Sequence, residues 1–101
     1  MSSSAPELRT VPLATDVNFT EDAFAVKLTD GRTLLVPLAW YPRLQHASHG
    51  ERAHWRLVGR GEGIHWPDLD EDVSVEALLA GRPSGESHTS FQHWLAARGA
   101  G

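Results

Sequence analysis

The sequence predicts an α+β fold: a small antiparallel sheet, a three-stranded meander, covered on one face by short helices. Three observations predict it. Asp30-Gly31 stands between two apolar-alternating stretches, a strong hairpin signal. Trp40, Leu44 and Ala47 recur at i, i+4 and i+7, one stripe of a helix. Ser48 and Glu51 have the spacing of a capping box.

Each element follows in order. Asp16 to Phe19 alternates briefly and turns at Glu21-Asp22, which suggests a first strand. Phe24 to Thr29 and Arg32 to Pro37 then pair across Asp30-Gly31. A two-residue loop would set Leu28 opposite Thr33, Val26 opposite Leu35 and Phe24 opposite Pro37. That register gives Phe24, Val26, Leu28 and Leu35 one face, the core face, and puts Lys27 and Leu34 on the other. Pro42 fits the first turn of the helix carrying Trp40, Leu44 and Ala47. Ser48 starts a second short helix, over about 51–56, which turns Trp55 inward. Gly59, Gly61 and Gly63 break that helix, and Arg56 to Val58 can pair with Ile64 to Trp66 as an added short hairpin. Ser74 caps a last helix that Gly81 stops, with Val75, Leu78 and Leu79 facing inward.

The chain of 101 residues therefore divides into a flexible N-terminal segment (1–14), one domain (15–81), and a polar connector with a short amphipathic helix (82–101). Phe91, Trp94 and Leu95 share a face of that helix and require a docking surface, on the domain or on a second copy. Exchange of a tethered helix is a low-cost route to a homodimer, which is the favoured arrangement.

Composition excludes several functions. Apolar residues are 41% and charged residues 22%, as in folded soluble domains. Nine basic against thirteen acidic residues, a formal charge of −4, argue against nucleic-acid contact. The absence of cysteine removes disulfides, thiolate zinc sites and a thiol nucleophile. No run reaches the length of a membrane span and Met1 to Glu7 lacks the basic and apolar regions of a signal, so the expected compartment is the cytoplasm, with no membrane contact.

The chemistry-bearing clusters are few. Asp68, Asp70 and Asp72 open with calcium-loop spacing, but the sixth and twelfth positions are Val73 and Leu79 where Gly and Glu are required. Residues 62–81 hold six acidic side chains (Glu62, Asp68, Asp70, Glu71, Asp72, Glu76) and no basic one. Such a block either forms a solvated face or steers a basic partner. His65, between Ile64 and Trp66, lies beside this block; with Asp68, Asp70 and Asp72 it is the alternative divalent-metal or small-ligand site. No serine has a catalytic setting, and Gly59 to Gly63 lacks the lysine and following helix of a phosphate loop. Trp40, Trp55 and Trp66 are expected to meet in the core, while Trp40 and Tyr41 leave an aromatic edge next to an exposed Arg43.

Val36-Pro37-Leu38-Ala39-Trp40-Tyr41-Pro42-Arg43-Leu44, Gly63-Ile64-His65-Trp66-Pro67 and Leu69-Asp70-Glu71-Asp72-Val73-Ser74-Val75 together resemble a widespread bacterial family of small domains of unknown function. Its signature runs "VPLxWxPRL" to "GxGIHWPxLDEDISVExLL". The resemblance covers about 15–81 and implies a small α+β domain, encoded beside another small protein in a toxin–antitoxin-like pair. It supplies no catalytic or ligand residues. The resulting expectation is a non-enzymatic protein-interaction module without a cofactor, the antitoxin-like partner of a neighbouring gene product. Its surface would be Trp40, Tyr41, Arg43, Glu62, His65, Asp68, Asp70, Glu71 and Asp72.

Overall fold

The computed structural model describes residues 11–100. Of the segment expected to be flexible, residues 1–10 lie outside the described residues.

The fold is α+β, with two three-stranded antiparallel sheets in the orders β1-β2-β3 and β4-β5-β6. The first sheet is the expected meander: β1 (Ala14–Phe19), β2 (Ala23–Leu28) and β3 (Thr33–Pro37). Its register corrects the two-residue hairpin. Val26 faces Leu34, Ala25 faces Leu35 and Phe24 faces Val36. The Leu28 amide donates to the Arg32 carbonyl and the Gly31 amide to the Leu28 carbonyl, so the loop has three residues, Thr29 to Gly31. Gly31 closes it at φ +94°, the left-handed residue that a three-residue hairpin loop requires. Moving the register by one residue exchanges the faces of β3. Leu35 is therefore 69% exposed, while Val36 is buried and Leu34 packs against the core.

A 3-10 turn (Leu38–Trp40) and helix α1 (Pro42–Gln45) follow β3. The expected stripe is interrupted between them. Because the 3-10 turn shifts the phase, Tyr41 goes inward and Trp40 stays 38% exposed. Three tryptophans thus do not meet: Trp66 is fully buried and Trp55 is half-buried against the core. Helix α2 (His49–Ala53) opens with both bonds of the Ser48–Glu51 capping box, and it ends before Trp55.

The second sheet comprises β4 (Arg56–Val58), β5 (Gly63–Trp66) and β6 (Glu71–Ser74). The short hairpin is present, and residues 71–74 add a third strand that was not among the expected elements. Asp70 at φ +52° ends the turn between β5 and β6. Trp66 sits edge-on to Phe19 and Phe24, each 6.2 Å away, and its indole N–H donates to the Arg52 carbonyl at 3.1 Å. One apolar core therefore joins both sheets. Gly61 lies so close to the start of β1 that a Cβ there would run into the Ala14 carbonyl.

Ser74 caps α3 (Val75–Leu79) by accepting from the Ala77 amide. The Arg82 amide reaches the Ala77 carbonyl and the Gly81 amide the Leu78 carbonyl, the two bonds of a Schellman stop. Helix α4 (His88–Ala100) lies against the domain that precedes it. Arg98 donates twice to the Glu51 carboxylate, at 2.8 and 2.9 Å. Trp94 lies between the Arg43 and Arg98 guanidinium groups, 5.2 and 4.6 Å from its ring centre. Phe91 stacks on Trp94 and against His46, and Leu95 is half-buried.

Candidate functional site

Strand alternation decides which acidic residues reach the interior side. Along β6, Glu71 and Val73 face inward while Asp72 and Ser74 face outward. Glu71 is only 9% exposed, the one buried charged side chain among the described residues. It forms a wall of a cleft of about 450 Å³ that Tyr41, Val58, Glu62, Ile64, Asp72 and Ser74 also line.

The opposite wall is the connector after α3, which three bonds pin in place. Tyr41 donates its hydroxyl to the Arg82 carbonyl at 3.1 Å, and the Ser84 amide donates to the Trp40 carbonyl at 2.9 Å. Arg43 holds Glu86 bidentately through Nε and Nη2, and spends Nη1 on the Leu69 carbonyl at 2.8 Å. Pro83, Ser84 and Gly85 are thereby held over β6 and α3.

The electrostatics of the cleft are one-sided. Burial pushes the Glu71 carboxyl up to about 7; Arg43 opposes this, and Glu86, Asp72 and Asp70 add to it. Arg43 does not hydrogen-bond Glu71, because its donors are committed to Glu86 and Leu69. Among the described residues nothing hydrogen-bonds the Glu71 carboxylate. Hydrogen bonding to Arg43 draws the Glu86 carboxyl below its usual range, and burial followed by the Glu71 charge raises the Tyr41 hydroxyl. A second groove, of about 520 Å³, adjoins the cleft and shares Glu62 and Ser74 with it, adding Glu76, Val11, Pro12 and Leu13. Among the described residues four carboxylates line the two, and no basic side chain does.

The residues singled out from sequence separate into three groups. Glu62 and Glu71 come together at the cleft, and Asp72 touches its lining although its side chain turns to the outer face. His65 and Asp68 leave it. His65 Nδ1 lies 2.8 Å from Asp72 on the outer face, where the register sets the two residues opposite each other, and His54 Nδ1 lies 2.8 Å from Asp68. Asp70 lines a shallower hollow with Arg43 and Glu86. His65, Asp68, Asp70 and Asp72 are thus not gathered around one point, and among the described residues no three His, Asp or Glu side chains converge as metal ligands. The aromatic edge is also divided. Trp40 reaches the surface, Tyr41 is buried as the cleft floor, and Arg43 is a mostly buried, ion-paired residue rather than an exposed one. Glu86 and Ser84 were not legible as site residues, since only the fold brings the connector beside β6.

A family model described as a protein of unknown function (DUF2442) matches residues 14–84. No curated protein matches the chain. A crystal structure of a protein of unknown function from Rhodospirillum rubrum is 28% identical, with a TM-score of 0.66 over 76% of this chain and 95% of that one. A solution structure of an uncharacterized protein from Chromobacterium violaceum shares the fold at 23% identity, with a TM-score of 0.63 over 80% of this chain and 75% of that one. Among the described residues no helix is long and apolar enough to cross a membrane.

Proposed function

We propose that this chain, which belongs to the DUF2442 family, is a non-enzymatic recognition domain that receives a basic segment of a protein partner on its acidic face. One observation carries the reading. The cleft and the groove beside it form a continuous surface lined by Glu62, Glu71, Asp72 and Glu76, with apolar flanks and, among the described residues, no basic one. Opposite charge steers and orients such an encounter, and Val58, Leu13 and Pro83 supply apolar area to hold it. Acid–base catalysis is less well supported: among the described residues lining the cleft, Ser74, Ser84 and Tyr41 carry hydroxyls but no histidine or lysine stands beside them to act as base.

The neighbouring gene product, in a two-gene arrangement of toxin–antitoxin type, is the first partner to test. Both proteins are purified and titrated by calorimetry at two salt concentrations. A stoichiometric complex is expected, weakened at least ten-fold by the paired reversal Glu62→Lys and Glu76→Lys and weakened by salt. Binding that ignores both the reversal and the salt would refute the acidic face as the contact.

A further inference from the structure

The outer face of the first sheet departs from the polar pattern of a sheet side turned to water. Strand pairing sets Asn18, Ala25 and Leu35 in one row across β1, β2 and β3. Asp16, Lys27 and Thr33 form the row on one side of it, and Ala23 and Pro37 pair on the other. Leu35 is 69% exposed and stands opposite the small side chain of Ala25. Beside it lies a hollow of about 230 Å³ lined by Asp22, Ala23, Leu35 and Pro37. The centre of this patch carries no charge, and its ends carry opposite ones. Asp22 at the hollow end and Lys27 at the other are exposed, and neither makes an ion pair among the described residues. Asp16, next to Lys27 in the pairing, accepts instead from the Asn18 side-chain amide at 3.3 Å.

We propose that this face is the contact surface for a second copy of the chain, in a weak two-fold dimer. Such a contact uses one patch twice, so the patch must complement itself. Opposite charges at the two ends of β2 fit the same strand reversed, which selects a second copy as the occupant. A two-fold axis running across the strands at the Ala25–Leu35 pair meets the requirement. It brings the two Leu35 side chains together, each seated in the hollow beside the other. Lys27 then falls over Asp22 of the second copy. It stands two positions from the axis on one side and Asp22 three on the other; at about 3.3 Å per residue, the difference is within reach of a lysine side chain. The two ion pairs lie at the rim, where they orient the encounter and fix the antiparallel alignment. Three strands about 4.8 Å apart cover less than a standard interface, so the association is weak and concentration-dependent. None of these residues lines the cleft or the groove beside it, so the dimer leaves two acidic faces open.

Sedimentation equilibrium of the full chain from about 5 to about 500 µM, joined to amide NMR on dilution, tests this. The mean mass should rise with concentration toward twice that of the monomer, and added salt should reduce the rise. Dilution shifts should be confined to residues 16–18, 22–27 and 33–37. Lys27→Glu and Asp22→Lys, both at exposed positions, should each weaken the dimer about ten-fold or more, and the two together should restore it to within about three-fold of the original. Leu35→Ser should leave a monomer at every concentration. The wild-type dilution series stands on its own, whatever the behaviour of the variants. A wild-type chain that stays monomeric throughout would overturn the proposal. So would dilution shifts centred on α4, which would indicate exchange of the tail helix, or on the acidic face. A double reversal no better than either single one would overturn it as well.

Discussion

Replacing Glu71 with Gln should stabilise the folded protein at alkaline pH. The carboxyl titrates near 7 in the fold, against an ordinary value of 4.5. Between these values the folded state holds a proton that the unfolded chain has released, so stability falls as pH rises through this window. Above it, Glu71 is ionised in both states and the full cost is present. At about 1.36 kcal/mol per pH unit, the separation bounds that cost at about 3 kcal/mol. Water in the open cleft screens the charge, so about 1–2 kcal/mol is expected. Glutamine removes the charge and keeps the shape. Urea unfolding at pH 5 and pH 8.5, followed by tryptophan fluorescence, measures the difference. The two proteins should be nearly equal at pH 5, with Glu71→Gln ahead by that amount at pH 8.5. Equal stability at both values, or a variant weaker at pH 8.5, would refute the assignment of Glu71 as a carboxylate strained by burial. A gain in stability combined with a loss of binding would also be the trade expected where a residue is kept for recognition.

Trp66→Ala should cost about 3–5 kcal/mol by denaturant midpoint, because it empties the junction of the sheets and orphans the Arg52 carbonyl. Trp40→Ala, at the surface, should cost about 1 kcal/mol or less in the same assay. Leu35→Lys should leave thermal stability within about 0.5 kcal/mol whereas Val36→Lys should prevent folding, and equal effects would contradict the hairpin register. Glu51 is held down to about 2, chiefly by Arg98, so it stabilises the fold above pH 4.5 and that contribution is lost as pH falls toward 2; Glu51→Gln should flatten the acid limb of a stability–pH curve.

Much of the fold was legible because it is written in short-range chemistry. The capping box at Ser48–Glu51, the cap at Ser74 and the stop at Gly81 each depend on residues within a few positions. Asp30-Gly31 marked the hairpin but could not set its register, since a two-residue loop and a three-residue loop with left-handed Gly31 both accept that pair. The faces of Leu34 and Leu35 turned on that single residue. Strand β6 was illegible for a different reason. Three carboxylates in Asp70 to Asp72 read as loop, and only pairing with β5 makes them extended. The alternation that buries Glu71 beside Val73 then contradicts the usual placement of charge. Likewise the connector wall depends on contacts between residues about forty positions apart, Tyr41 with Arg82 and Arg43 with Glu86, which no local pattern encodes.

The carboxyl carbon of Glu71, followed by NMR across a pH titration, tests the account most directly, because the acidic face is built around this mostly buried acid in the cleft wall. With the chain alone, the account predicts a midpoint near 7. A midpoint near 4.5 would contradict it.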